Sequence, residues 1–433
     1  MNTGIDETVC LIQNDPRAPQ PRSGVSSILH RRATMPRSRI YVTAAVLIFI
    51  AVSVSILNHN PLTQSEHEAR DYLQLFRRRR RPFPALSSPK KEQKSHRNPE
   101  AASSCEECRR DLNYSTHTAK TAYELPFAAL FADTKSQNKF EASSITTHDG
   151  NYYAICDNSW AISKFSPSLT PFSSDNIMIG DPRREEEDSG YEAIFFRDQV
   201  AYVVRESVAH KHDSNTTYHA IIEELSIEGN DYTIINQCRS EYEFEGDSKG
   251  FEGAFGLEGK DGDYYILGLC EGNHCSEKSN LKFDKGNGRI VVMKKNNSGS
   301  EAANDESNCI WMTHSIINIP TSANFRDYSD ISITPNGRVV ITTQEDSAMW
   351  FGQLLGVHDG IFDPETAAFD EEHGQVYNFP KSDSCKTVYC NIEGITFMND
   401  NMVMAVSDQM KKKGKQEFYC LEKDQSIHAF VLP

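Results

Sequence analysis

Ser143, Glu192, Glu252, Ser329 and Glu393 each open a segment in which apolar residues follow at +2 and usually at +4. A turn and a second apolar run then end on Asp157, Glu206, Glu271, Glu345 or Asp408. Two antiparallel strands joined by a turn place the start of the first and the end of the second on the same side. Five such hairpins arranged about an axis would aim ten oxygen-bearing side chains at one mouth, eight of them carboxylates. Carboxylates crowded in this way repel and are driven to hold protons. A hard cation relieves the repulsion. Ca²⁺, which takes roughly six to eight oxygen ligands in flexible geometry, suits an inner ring of Ser143, Glu192, Glu252, Ser329 and Glu393 better than Mg²⁺ or Zn²⁺. Asp157, Glu206 and Glu345 are then the candidates for a base that draws a proton from an attacking water. Arg205, His210 and His212 follow the second hairpin closely enough to offset developing negative charge. A purely structural role, in which Glu and Ser staple neighbouring hairpins through backbone amides, stays open at this point.

The elements that must position these groups are short strands. The five segments read SSITTHDGNYYAICD, EAIFFRDQVAYVVRE, EGAFGLEGKDGDYYILGLCE, SDISITPNGRVVITTQE and EGITFMNDNMVMAVSD, at intervals of 49, 60, 77 and 64 residues. That spacing fits four-stranded propeller blades with loops of variable length. AISKF and NIMIG complete the first blade, YHAIIEELSI and YTIINQC the second, GRIVVMKK and CIWMTHSIINI the third, and AMWFGQLL and GQVYNF the fourth. The fifth has only SIHAFVL to add and is one strand short, while YELPFAALFA, Tyr123–Ala132, is spare upstream. Pairing the two chain ends would close the ring and remove the sheet edges that invite aggregation. The predicted fold is therefore all-β, a five-bladed β-propeller behind a single N-terminal transmembrane helix. A six-bladed ring and a two-sheet sandwich are the alternatives, and a sandwich gives no reason for five copies of one hairpin frame.

The 433 residues carry 45 Lys plus Arg against 61 Asp plus Glu, and residues 1–81 reverse that balance with 12 basic and 6 acidic side chains. The acidic remainder lacks the basic face a nucleic-acid binder needs. Ile40–Leu57 is an 18-residue run without a charge. As a helix it spans ~27 Å, enough to cross a bilayer. Arg31, Arg32, Arg37 and Arg39 precede it and favour a cytosolic N-terminus. The acceptors Asn113, Asn215 and Asn296 and ten of the eleven cysteines follow it, as in an oxidising, glycosylating compartment. The expectation is a type II signal anchor, with residues 1–39 as a cytosolic tail, 58–121 as a disordered basic stalk and 122–433 as the luminal or extracellular propeller. A cleaved signal peptide is the alternative reading of the apolar run. Arg77–Arg81 is read as a juxtamembrane basic patch, or alternatively as a convertase site that releases the domain. The ten cysteines beyond the anchor are expected to pair, with Cys270–Cys275 and Cys385–Cys390 favoured by spacing.

The order Ser, Glu, Glu, Ser, Glu at the blade starts, behind a single anchor, resembles the calcium-activated nucleotidases, the apyrase family of secretory-pathway nucleoside diphosphatases. NYYAICDNSWAISKF, SDISITPNGRVVITTQED and IEGITFM are similar to that family's strings, and the likeness covers residues 123–408. It implies that Ser143, Glu192, Glu252, Ser329 and Glu393 ligate Ca²⁺ and that Asp157 and Glu345 lie beside substrate phosphates. LFADTKSQ keeps only Asp133 of the family's acidic signature, and VVRESVAH replaces its Lys, Glu and Trp string. GLCEGNHC looks more like the SdiA-regulated and phytase-like esterase propellers, in which Glu-Gly or Glu-Ala opens each blade. Two functions follow as expectations: a Ca²⁺-dependent hydrolase of nucleoside diphosphates or other phosphate esters, or a glycosylated binding or adhesion module in which the Ca²⁺ is structural. No GxSxG, HExxH or phosphate-binding loop is present.

Overall fold

Asp149 and Gly150 both take positive φ, 45° and 71°. They close a tight turn between two runs of buried apolar residues, a geometry whose twist matches that of the flanking strands. The same strand, turn, strand economy builds the rest of the chain. The computed structural model describes residues 117–433 except 186, 213–214, 247–248, 273–274, 276–285, 287, 297–308, 383–384 and 412–417. The predicted anchor Ile40–Leu57, most of the stalk, Asn113 and the Arg77–Arg81 run lie outside the described residues. Among the described residues no helix is long and apolar enough to cross a membrane.

A first strand, β1 (Lys120–Pro126), precedes a short 3-10 turn at Phe127–Leu130. Four antiparallel strands then follow in order, β2 (Ala142–His148), β3 (Asn151–Cys156), β4 (Ser159–Phe165) and β5 (Ile177–Ile179). A second meander comprises β6 (Tyr191–Arg197), β7 (Val200–His212), β8 (Asn215–Glu228) and β9 (Asp231–Ser240). The third comprises β10 (Phe251–Gly259), β11 (Tyr264–Cys270), β12 (Arg289–Lys295) and β13 (Ile310–Asn318). The fourth starts with β14 (Asp330–Ile333), β15 (Arg338–Thr343) and β16 (Ala348–Leu355). Short pieces β17 (Val357–His358), β18 (Ile361–Phe362) and β19 (Ala368–Phe369) lead to β20 (Gln375–Asn378), which pairs with β16 as its outer strand. The fifth contains β21 (Ile392–Asn399), β22 (Met402–Ser407) and β23 (Ser426–Val431). Its fourth strand is β1, antiparallel to β23 with Lys120 opposite Val431 and Pro126 opposite Ser426.

The first strands of the meanders pack in a closed cycle, β2 on β6, β6 on β10, β10 on β14, β14 on β21 and β21 on β2. The fold is an all-β propeller. Its core is divided accordingly, with one apolar cluster between each pair of neighbouring meanders. The outer edges of the second and third meanders are also joined. There β13 runs parallel to β9 through Ile310–Arg239 and Trp311–Ser240, and the Cys238–Cys309 disulfide crosses the same seam. A paired edge is protected from foreign strands.

The strand expected at Tyr123–Ala132 is found on the last sheet, but pairing stops at Pro126 and Phe127–Leu130 turns inward, where Phe127 and Leu130 are fully buried. Cys270–Cys275 forms as its spacing suggests. Cys390, expected with Cys385, pairs with Cys420 instead. The return from β22 to β23 carries Cys420 back over the fifth meander, a long-range approach that local spacing does not reveal. Cys385 is disulfide-bonded, and Cys156 is a buried thiol, so the ten cysteines are not all paired.

Glu124 fixes the closing strand. Tyr389 donates to its carboxylate at 3.0 Å and to or from Thr121 at 2.8 Å, Lys423 donates to the same carboxylate, and buried His428 stands 3.7 Å away, too far for a hydrogen bond. His428, Lys423 and Tyr389 together hold the Glu124 carboxyl down to about 2, against its burial. Burial pushes His428 itself toward neutrality, which leaves Lys423 as the positive partner near neutral pH. Tyr389→Phe removes two hydrogen bonds from this closure. It is expected to lower the melting temperature by ~2–5 °C, the scale of ~1–2 kcal/mol in a domain of this size. An unchanged melting temperature in a thermal scan would show that the closing strand is held elsewhere.

Candidate functional site

Four of the five inner-ring residues share one backbone defect. The register between paired strands jumps from Ala142 to Ser144, from Tyr191 to Ala193, from Phe251 to Gly253 and from Ile392 to Gly394. Ser143, Glu192, Glu252 and Glu393 are therefore the extra residues of β-bulges. A bulge leaves its residue unpaired and re-aims the side chain, which is why bulges recur beside binding sites. Ser329 lies just ahead of β14, its amide bonded to the Thr342 carbonyl at 3.0 Å. The residue after the second strand, or in the longer β7 the residue skipped within it, completes the frame. The amides of Asp157, Glu206, Glu271 and Asp408 donate to the carbonyls of Glu141, Gly190, Gly250 and Asn391, each two residues ahead of a bulge. Glu206 is itself skipped in the pairing of β7 with β8.

In the fourth meander the equivalent position belongs to Gln344. Its amide donates to the side chain of Asp327, at 3.1 Å, and to the Ser329 hydroxyl, at 3.2 Å. Asp327 thus takes the place of the carbonyl used elsewhere. Glu345 is exposed, and its own amide also donates to Asp327. Of the three candidate bases, the structure brings Asp157 and Glu206 into the carboxylate cluster and leaves the Glu345 side chain outside it.

The cluster is legible in its proton affinities. Burial first, then Glu252, Glu206, Glu393 and Asp157, push the Glu192 carboxyl well above the usual range. Glu252 is raised by burial and by Glu271, Glu206 and Asp327, against the attraction of Lys249. Glu393 is raised by burial, Asp408, Glu252 and Asp157, against Lys411. Asp157 is pushed up to about 8 by burial, Asp408 and Glu141, and Asp408 to about 7 chiefly by burial. Glu192 is buried, whereas Glu252 and Glu393 keep some solvent contact. Charge here is costly because the walls are protein and the like charges are close.

Two acceptors at this mouth are unused. The Ser143 hydroxyl, in a side chain 2% exposed, and Asp157 Oδ1 have no hydrogen-bond partner. The remaining groups are tied down. Ser329 is engaged with Asp327 and Gln344, Glu393 accepts from Gln344 Nε2, and Lys411 Nζ donates to Gln344 Oε1 at 3.3 Å. Among the described residues no three His, Cys, Asp or Glu side chains stand at ligating distance from one point. The donor set is all oxygen, carboxylate and hydroxyl, the ligand type that hard cations take.

The other residues singled out by sequence do different work. Arg205 turns away from the mouth, with Nε on the Ser189 carbonyl at 2.9 Å, Nη1 3.4 Å from buried Glu223, and its guanidinium over the Trp160 ring. It fastens the first meander to the second. His210 packs against His219 on the outer part of the second meander, and the His212 side chain lies outside the described ones. Sequence reasoning missed Asp327, Gln344 and Lys411. The signal for Asp327 was present as an acid two residues ahead of the frame Ser, where the other meanders have Glu141, Gly190, Gly250 and Asn391.

A cavity of about 620 Å³ opens beside Asp157, with Lys139, Arg183 and Arg184 among its lining and Glu141, Asp188 and Asn158 on the side toward the cluster. The Asn158 side-chain oxygen is buried and unpartnered there. The opposite end of the channel is a smaller cup of about 220 Å³ lined by Phe196, Phe255 and Phe397 together with His148, Ser332 and several threonines. Lys120 pairs with Val431 at that end, whereas Pro126 and Ser426 lie at the carboxylate end.

No protein-family model matches this sequence, and no curated protein does. Among solved structures, virginiamycin B lyase from Staphylococcus aureus is similar at 11% identity and a TM-score of 0.32, over 72% of this chain and 99% of that one. Myxococcus xanthus glutaminyl cyclase aligns at 10% identity and a TM-score of 0.31, over 72% and 96%. For xylan beta-1,4-xylosidase from Bacillus halodurans C-125 the values are 10% and 0.35, over 63% of this chain and half of that one. Likenesses this distant carry no argument about function.

Proposed function

We propose that this chain is a five-bladed propeller, anchored in a secretory-pathway membrane by Ile40–Leu57, that binds Ca²⁺ at its carboxylate mouth and hydrolyses a phosphate ester there, nucleoside diphosphates included. The observation that carries the reading is the repeated bulge, which singles out Ser143, Glu192, Glu252 and Glu393 and turns each from its strand pairing at the same place. A hairpin staple alone would satisfy its own polar groups, whereas the Ser143 hydroxyl is buried without a partner. When bound, the cation would supply positive charge that neutralises phosphate oxygens. Ser143, Glu192, Glu252 and Glu393, with Ser329, would hold it.

Asp157 is the base in this reading. Its Oδ1 is free to accept from a water. Glu206 is its acidic neighbour and the reserve candidate. Lys139, Arg183 and Arg184 line the adjoining cavity, where the non-reacting anionic part of a substrate would find partners.

The test is turnover of nucleoside di- and triphosphates and simple phosphate esters by the purified chain, with Ca²⁺ and with chelator. Ca²⁺-dependent release of phosphate that falls at least ~100-fold in Asp157→Asn, a loss on the scale of a general base, is the expected result. Calcium binding without turnover of any ester would leave a binding module with structural Ca²⁺.

A further inference from the structure

We infer that Lys411 is a tethered counter-ion of the carboxylate mouth, holding the cluster together when no divalent cation is present and competing with that cation for the same charge. This rests on the cation site proposed above. Lys411 follows β22 by four residues, so its backbone leaves the rim of the mouth next to Asp408. Its Nζ donates to Gln344 Oε1 at 3.3 Å, and Gln344 passes the contact on by donating from Nε2 to Glu393 Oε1. One glutamine side chain, at the rim position held by an acid in every other meander, thus bridges an ammonium to an inner-ring carboxylate. The neutral residue is what makes the bridge. An acid at 344 would accept from Lys411 but offer Glu393 only repulsion.

The charges that surround this ammonium are Glu393, Asp408, Glu252 and Asp327. They come from three different meanders, β10, β21 with β22, and the loop before β14. The other lysine near the cluster, Lys249, is committed to Glu271 at 3.0 Å. Lys411 is exposed on its outer side. It is therefore placed to swing away without opening the core. A single positive charge on a flexible stem cannot satisfy several carboxylates at once, whereas a divalent ion ligated by them can. Binding of the ion would cancel the attraction that holds Lys411 at Gln344, and the energy of that lost attraction is subtracted from the ion's affinity.

The test uses the full chain purified in detergent, with CaCl₂ as the probe, in three forms: unmodified, Lys411→Met and Lys411→Arg. Removal of one positive charge beside the site is expected to tighten Ca²⁺ binding by ~10-fold in calorimetry and to lower the calcium-free melting temperature. Lys411→Arg keeps the charge and is expected to match the unmodified chain in both. Equal or weaker binding by Lys411→Met overturns the competition. If neither the unmodified chain nor Lys411→Met binds Ca²⁺, the cation site itself falls. The counter-ion role is then decided by the calcium-free melting temperatures, supported by a fall in Met but not Arg and overturned by no change in either.

Discussion

Raising the pH from about 5.5 to about 8.5 should lower the melting temperature of the calcium-free protein by ~5–10 °C, and saturating Ca²⁺ should restore most of the loss. The sign follows from proton uptake. Asp157 and Asp408 bind protons up to about 8 and about 7 in the folded chain, far above their ordinary value of 3.8. Between those limits the folded state holds protons that the unfolded state has released, so stability is fully present below about 3.8 and is lost progressively until pH has risen through 7 to 8. Glu192, Glu252 and Glu393 move the same way. Glu124 acts oppositely but in a different window, since its carboxyl, held down to about 2, withdraws stability only as pH falls below about 4.5. A cation replaces the missing protons as the neutralising charge, and its effect grows with concentration by mass action. Glu252→Gln with Glu393→Gln should flatten the alkaline loss, raise the calcium-free melting temperature at high pH and abolish the response to Ca²⁺. A melting temperature independent of both pH and calcium in the unmodified chain would remove the charged mouth as the feature that matters.

Much of this architecture was readable in the sequence because the repeat writes it five times. The hairpin frame, the pairing of the chain ends and the acids at strand ends depend on strand period and turn residues, which are local. What was not readable depends on departures from the repeat. Glu345 and Gln344 are adjacent, and only the pairing of Thr343 with Ala348 shows which one occupies the rim. Arg205 reads as a charge near the site, yet the strand's alternation sends it to Glu223 and Trp160 between meanders. Cys420 reaches Cys390 through a 30-residue excursion whose path no local rule fixes. The bulges themselves were hinted at by Glu-Gly and Glu-Ala pairs, but the reason for the small second residue appears only when the ring is closed.

That reason supplies the second large effect, at Asp330. A Cβ on Gly253 would lie 2.8 Å from Asp330 Cα and 2.9 Å from its Oδ1, and one on Gly394 would lie 2.9 Å from Ser144 Cα. The inner strands approach so closely that only small residues fit beside the bulged acids. Asp330, fully buried, reaches across the resulting gap. It accepts from the amide of Ile395 at 2.8 Å, the amide of Ile331 at 2.8 Å and the Ser144 hydroxyl at 3.3 Å, and so links the fourth meander to the fifth and the first. Burial pushes its carboxyl well above the usual range, while the Ile395 and Ile331 amides oppose that shift. Asp330→Leu would leave those donors buried without an acceptor, at a cost of ~3–5 kcal/mol or ~10 °C and more in melting temperature. Asp330→Asn keeps one acceptor oxygen and should lose less than half of that. Gly253→Ala should cost ~1–3 kcal/mol, because its clash is with backbone that cannot rotate away. Denaturant unfolding of the three variants checks the order Leu worst, then Ala at Gly253, then Asn. If Asp330→Leu melts within ~2 °C of the unmodified chain, a shift too small for a lost buried acceptor, the ring is not pinned at Asp330 and the interfacial apolar clusters alone hold the meanders together.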